Sequence, residues 1–93
     1  MTQPPTETQL DAYHKLLRRG CLLSAYRLMD VEYSPNSYGL TIVVERLGHT
    51  YRLWFGYNAL RKCDSALDLS KDINGMCHRV AIRRAKRLVR RAS

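Results

Sequence analysis

Hydrophobic positions change period twice along the chain, and the changes divide it into elements. Thr6-Glu7-Thr8-Gln9 has capping-box form, with a Thr hydroxyl for an orphan N–H and Gln9 placed three residues on to reach back. Leu10, Tyr13, Leu16 and Leu17 follow at helical spacing. Lys15, Arg18 and Arg19 sit where the macrodipole favours cations, and Gly20 is a natural C-cap, so the pattern predicts a helix over 7–19. From Leu22 onward the period drops towards two. Leu23, Ala25, Met29, Val31 and Tyr33 alternate with Ser24, Tyr26, Asp30 and Glu32, the pattern of a half-buried strand broken only by Arg27. Its start is open, because Leu22 to Met29 also fits a helical turn or two. Ser34-Pro35-Asn36-Ser37 is a turn cluster. Leu40, Ile42 and Val44 then form a β-branched alternating run with Thr41, Val43 and Glu45. After Leu47-Gly48-His49, Tyr51, Leu53 and Phe55 alternate with Arg52 and Trp54 up to Gly56. Connections this short imply an antiparallel meander.

Residues 57–75 carry mixed signals: one helical turn at Asn58 to Lys62, and another turn or a loop at Ser65 to Leu69. Ser70 fits an N-cap, while Asn74-Gly75 fits an interruption or a lead-in to the last helix. Residues 76–93 read as a basic amphipathic C-terminal helix, and residues 1–5, ending in Pro4-Pro5, as a flexible lead-in. The predicted fold is α+β in two layers, a single domain over 1–93 in which a three-stranded antiparallel meander packs on N- and C-terminal helices, α–β–β–β–α. This order resembles that of double-stranded-RNA-binding domains. The resemblance lies in element order: those domains open their last helix with a Lys-Lys-x-Ala-Lys run, whereas here Arg83-Arg84-Ala85-Lys86 lies deep within the helix. A likeness of this kind implies an architecture and transfers no residue role.

Charge distribution sharpens the picture more than composition does. The 93-residue chain carries 16 Lys+Arg against 8 Asp+Glu. Residues 1–75 hold nine basic and eight acidic groups, a net of +1, while residues 76–93 hold seven basic groups and no acid. A polycationic tail on a neutral body points to a polyanionic partner. The three cysteines, Cys21, Cys63 and Cys77, share no CxxC spacing, which fits a reducing cytoplasmic compartment better than a disulfide framework or a zinc site. The N-terminus lacks signal-peptide form and no apolar run is long enough to span a membrane. One domain of this size has a thin core, so a homodimer would add stability.

On a helical wheel Cys77, Ala81, Ile82, Ala85, Leu88, Val89 and Ala92 share an arc of about 140°, and the pattern predicts that this stripe docks on the sheet. Arg79, Arg83, Arg84, Lys86, Arg87, Arg90 and Arg91 take the remaining surface and are the candidate binding residues for phosphates or an acidic partner. Cations repeat at i, i+4 with no acid between them, an arrangement that solubility alone does not require. Strand parity adds Arg52 and Trp54, with Tyr26 depending on register, as a candidate stacking face; a Trp54 that caps a minor core or is buried in a dimer fits equally well. His14, His49 and His78 are scattered, and Cys77 and His78 point about 100° apart on a helix, poor geometry for a dyad. Asp64, Asp68 and Asp72 recur every four residues without a Ca²⁺-loop pattern and fit charge balance. No cofactor, metal or catalytic constellation is indicated, beyond a residual nuclease reading built on His49 and Arg52. The leading expectation is a nucleic-acid-binding or nucleic-acid-associated protein whose arginine helix contacts DNA or RNA phosphates. The second is a protein-interaction module or inhibitor, of the kind phages and mobile elements direct at host defence or transcription machinery, docking on an acidic partner. A membrane surface is disfavoured, since the apolar arc has no Trp or Phe.

Overall fold

A computed structural model describes residues 5–34 and 38–92. The predicted lead-in therefore lies mostly outside the described residues, as do Pro35, Asn36 and Ser37 of the turn cluster. The elements are α1 (Glu7–Leu23), β1 (Arg27–Ser34), β2 (Gly39–Arg46), β3 (His49–Gly56), α2 (Tyr57–Lys62) and α3 (Ala66–Ala92). The strands form one antiparallel sheet in the order β1-β2-β3, and α1 and α3 pack against each other and against it. The α–β–β–β–α architecture is the one the pattern predicts.

The start of α1 follows the capping box: Thr6 Oγ1 accepts from Gln9 N at 3.2 Å and Thr6 N donates to Gln9 Oε1 at 2.9 Å. Its end does not follow the sequence. Gly20 is not a cap; it is buried inside the helix, and α3 approaches there so closely that a Cβ would lie 3.2 Å from Leu69 Cγ and 3.3 Å from Ile73 Cδ1. The missing side chain thus serves helix packing rather than helix termination. Termination comes four residues later, where Tyr26 N donates to Cys21 O and Ala25 N to Leu22 O, a Schellman arrangement with Ala25 at φ 61°.

A bulge in β1 explains the parity that Arg27 broke. Leu28 pairs with Val44 and Asp30 with Val43, so Met29 is extra and the strand shifts by one residue. Tyr26 and Leu28 before the bulge, and Val31 after it, all pack with the core. Tyr26 is therefore buried on the helix-covered side, a correction to its candidate place beside Trp54. β2 supplies Leu40, Ile42 and Val44, β3 Leu53 and Phe55, α2 Leu60, and α3 Leu69, Ile73 and Cys77 to one continuous core with Leu17 and Cys21 of α1.

The ambiguous stretch resolves into two helices. Ser65, not Ser70, caps α3: its Oγ accepts from Asp68 N at 3.2 Å. Ser70 is buried inside the helix and donates to Leu67 O at 2.6 Å. The helix runs through Asn74-Gly75 without a break, because Leu69, Ile73 and Cys77 anchor both sides of that pair in the core.

All three thiols are free. Burial, and then the neighbouring Cys77, push the Cys21 thiol from 9.0 up to about 11. Burial likewise raises the Cys77 thiol. At pH 8 a thiol reagent is expected to modify half-buried Cys63 rapidly, and Cys21 and Cys77 only on unfolding, as read by time-resolved labelling and mass spectrometry. Since Cys21 ionises at a higher pH folded than unfolded, its contribution is intact below pH 9 and stability falls as pH climbs from there towards 11.

Candidate nucleic-acid interface

The basic surface is positioned by the length of α3. Its body-facing line runs Leu69, Ile73, Cys77, Val80 and then Arg84, steps that keep to one side of a helix turning about 100° per residue. Exposure rises abruptly along this line. Ile73 and Cys77 are fully buried, Val80 and Ala81 half-buried, and every residue from Ile82 to Arg90 is exposed. Arg84 makes the last tether to the body: its Nη2 donates to Thr50 O at 2.9 Å, and its guanidinium lies 4.9 Å from the centre of the Tyr51 ring. Beyond it about 12 Å of helix continues past this end of the sheet.

The apolar stripe consequently does not dock as predicted. Ile82, Ala85 and Val89 lie about 150° around the helix from the body-facing line, and they are exposed together with Leu88. Among the described side chains of that stripe, only Cys77 and, in part, Ala81 are covered. Sequence periodicity found the stripe correctly, but an exposed apolar arc and a buried one have the same spacing.

Arg79, Arg83, Lys86 and Arg90 fall on one side of the helix within an arc of about 60°, with Arg87 beside them. Among the described residues, no acidic side chain lies within ion-pair distance of Arg79, Arg83, Lys86 or Arg87. Asp68 and Asp72 do share this side, but Asp72 precedes Arg79 by seven residues, about 10.5 Å of helix rise. Acids at the N-terminal end and cations at the C-terminal end both match the macrodipole, and the distance leaves the cationic surface unneutralised by them. The Arg91 side chain lies outside the described residues.

Arg52 and Trp54 project from the sheet face that the helices do not cover. Arg52 Nη2 is paired with Glu32 Oε2 across the sheet. The Trp54 indole, 50% exposed, lies over the glycine pair Gly39 and Gly56: a Cβ on Gly39 would sit 2.7 Å from its Cε2 and Cζ2 atoms. Both side chains thus have structural engagements, and they share no surface with the basic line of α3. Alternation along β3 also sends His49 and Arg52 to opposite faces, so they do not form one site.

Two residues outside the candidate list join the basic end instead. Arg46 and His49 close the β2–β3 hairpin opposite each other, next to Thr50 and its bond from Arg84. The Arg46 guanidinium lies 5.3 Å from the Tyr26 ring centre, and Tyr26 meets Tyr51 edge-on at 6.2 Å. Two guanidiniums therefore flank a tyrosine pair, each contact worth about 0.5–1 kcal/mol at an exposed site. The tight hairpin was legible in the sequence, but its closeness to α3 depends on the helix crossing and was not.

An open groove of about 730 Å³ between α1 and β1 is lined by residues that include His14, Arg18, Leu22, Met29 and Asp30. Its lining is mainly apolar, and it lies apart from the arginine line. Among the described residues no three His, Cys, Asp or Glu side chains group as metal ligands, and no helix is long and apolar enough to cross a membrane. No family model, curated protein or solved structure matches the chain.

Proposed function

We propose that this is a small nucleic-acid-binding protein whose projecting C-terminal helix holds phosphates through Arg79, Arg83, Lys86, Arg87 and Arg90, with Arg91 continuing the series. The observation that carries the reading is that, among the described residues, Arg79, Arg83, Lys86 and Arg87 have no acid within ion-pair distance, on a helix whose last turns extend beyond the body. Arginines spaced along such a rod reach successive phosphates while their counterions are released. They carry no base readout of their own, so binding has little sequence preference. Free thiols fit a reducing, cytoplasmic setting for this activity.

Fluorescence anisotropy with labelled duplex and single-stranded oligonucleotides across a salt series tests the reading. The expected result is saturable binding at low salt and a steep linear fall of log affinity with log salt. Absence of binding to every oligonucleotide at about 0.05 M salt overturns it.

A second reading rests on the uncovered arc of Ile82, Ala85, Leu88 and Val89. An acidic amphipathic helix would bury this arc while pairing with the flanking cations, which makes an inhibitor or adaptor acting on an acidic protein the alternative. Self-pairing through the same arc would bring two like-charged helices together, so the arc favours a different partner over a homodimer. A complex with a protein that survives nuclease treatment and is lost on Val89→Glu substitution distinguishes this reading.

A further inference from the structure

The β2–β3 turn holds an exposed leucine in a conformation that leucine disfavours. Leu47 has φ 53° and Gly48 φ 79°, left-handed values at both central positions of a two-residue hairpin. Such a turn calls for Asn or Asp before Gly. Leu47 instead places an aliphatic side chain there, and it is 88% exposed, more than any other large hydrophobic among the described residues. Backbone strain and apolar exposure thus fall on one residue, a combination found where function holds a side chain outward. Its neighbours are cationic or polar: Arg46 and His49 are cross-strand partners immediately below the tip, both exposed. The Arg84 bond to Thr50 O fixes the basic helix beside this same end of the sheet.

From this juxtaposition we propose that the Arg46-Leu47-Gly48-His49 turn is a wedge for duplex DNA: Leu47 presses into a base step from the minor groove while Arg46, His49 and the α3 cations hold the adjoining phosphates. Apolar side chains presented on a narrow element beside cations unstack base steps and bend the duplex. A two-residue hairpin is such an element, and apart from the adjoining Leu47 and His49 nothing lies within 4 Å of a Cβ placed on Gly48. This wedge rests on the nucleic-acid reading above and gives it a substrate form, double-stranded rather than single-stranded, and a mechanical effect, bending.

L47N separates the wedge from the fold, because Asn before Gly suits the turn and the variant is expected to melt no lower than the parent protein. The measurement uses a DNA duplex labelled at its two ends, read by anisotropy for binding and by energy transfer for bending. The parent protein is expected to raise energy transfer. L47N is expected to bind about tenfold more weakly, the loss appropriate to one leucine no longer buried, with an unchanged salt slope and no rise in energy transfer. L47M, which keeps a long apolar side chain, is expected to retain most of the bend. If L47N binds and bends DNA like the parent, the wedge is wrong and phosphate binding by α3 stands. If the parent protein binds single strands but no duplex at low salt, the wedge is wrong and the nucleic-acid reading stands; if it binds no oligonucleotide at all, the reading fails and takes the wedge with it.

Discussion

Replacing Arg83, Lys86 and Arg87 together by alanine is expected to weaken nucleic-acid binding by about 500-fold at 0.1 M salt. The figure follows from counterion release. Each phosphate contact contributes about 0.9 to the slope of log affinity against log salt, so three lost contacts flatten it by about 2.7; at one decade below 1 M salt that is a loss of about 10^2.7. Arg84 is left in place because it bonds to Thr50 O and packs on Tyr51, so its removal would mix binding with structure. The three chosen positions are exposed, and alanine is the best helix former. It also removes the like-charge pair Arg83/Arg87 at i, i+4, a gain of a few tenths of a kcal/mol. Helicity and melting temperature should therefore hold while affinity and slope both fall. An unchanged slope would mean that phosphates are not met by this side of the helix. A change in affinity at constant slope would point to shape or stacking in place of charge.

The order of elements was legible because each strand and the first helix carries its own periodicity. What was not legible depended on contacts between elements. Gly20 looked like a stop signal, and in an isolated helix it would be a poor interior residue; only the approach of Leu69 and Ile73 makes its interior position favourable. Asn74-Gly75 looked like a break for the same local reason, yet the core residues on either side carry the helix across it. Met29 is the third case. A bulge inverts which residues face inward, so Tyr26 appeared on the wrong side by parity although its burial is unambiguous in the fold. At the candidate site, the cations and the aliphatic stripe were both visible in the sequence. Where the core ends along α3 was not, because that is fixed by the length of the sheet beneath it.

Where the core ends can be measured with two substitutions nine residues apart on one helix. Ile73→Ala is expected to cost about 3 kcal/mol, since Ile73 is fully buried and truncation leaves a cavity against Leu69 and α1. Ile82→Ala is expected to change stability by less than about 0.5 kcal/mol. Ile82 is 41% exposed, lies about 150° from the body-facing line, and gives way to a better helix former. Denaturant unfolding of the free protein gives both values, and its slope shows whether the unfolded reference is unchanged. The sequence pattern alone, which docks the stripe from Cys77 to Ala92 on the sheet, would assign Ile82 a loss close to that of Ile73. Equal losses would therefore restore a docked helix and remove the projecting segment. A large loss at Ile73 with none at Ile82 leaves the last turns as a rod held at Arg84, with one side cationic and the other aliphatic. In that case Ile82→Ala, silent in the free protein, becomes the probe for a partner: it lowers affinity only for a ligand that covers the apolar arc, and leaves phosphate binding by the opposite side intact.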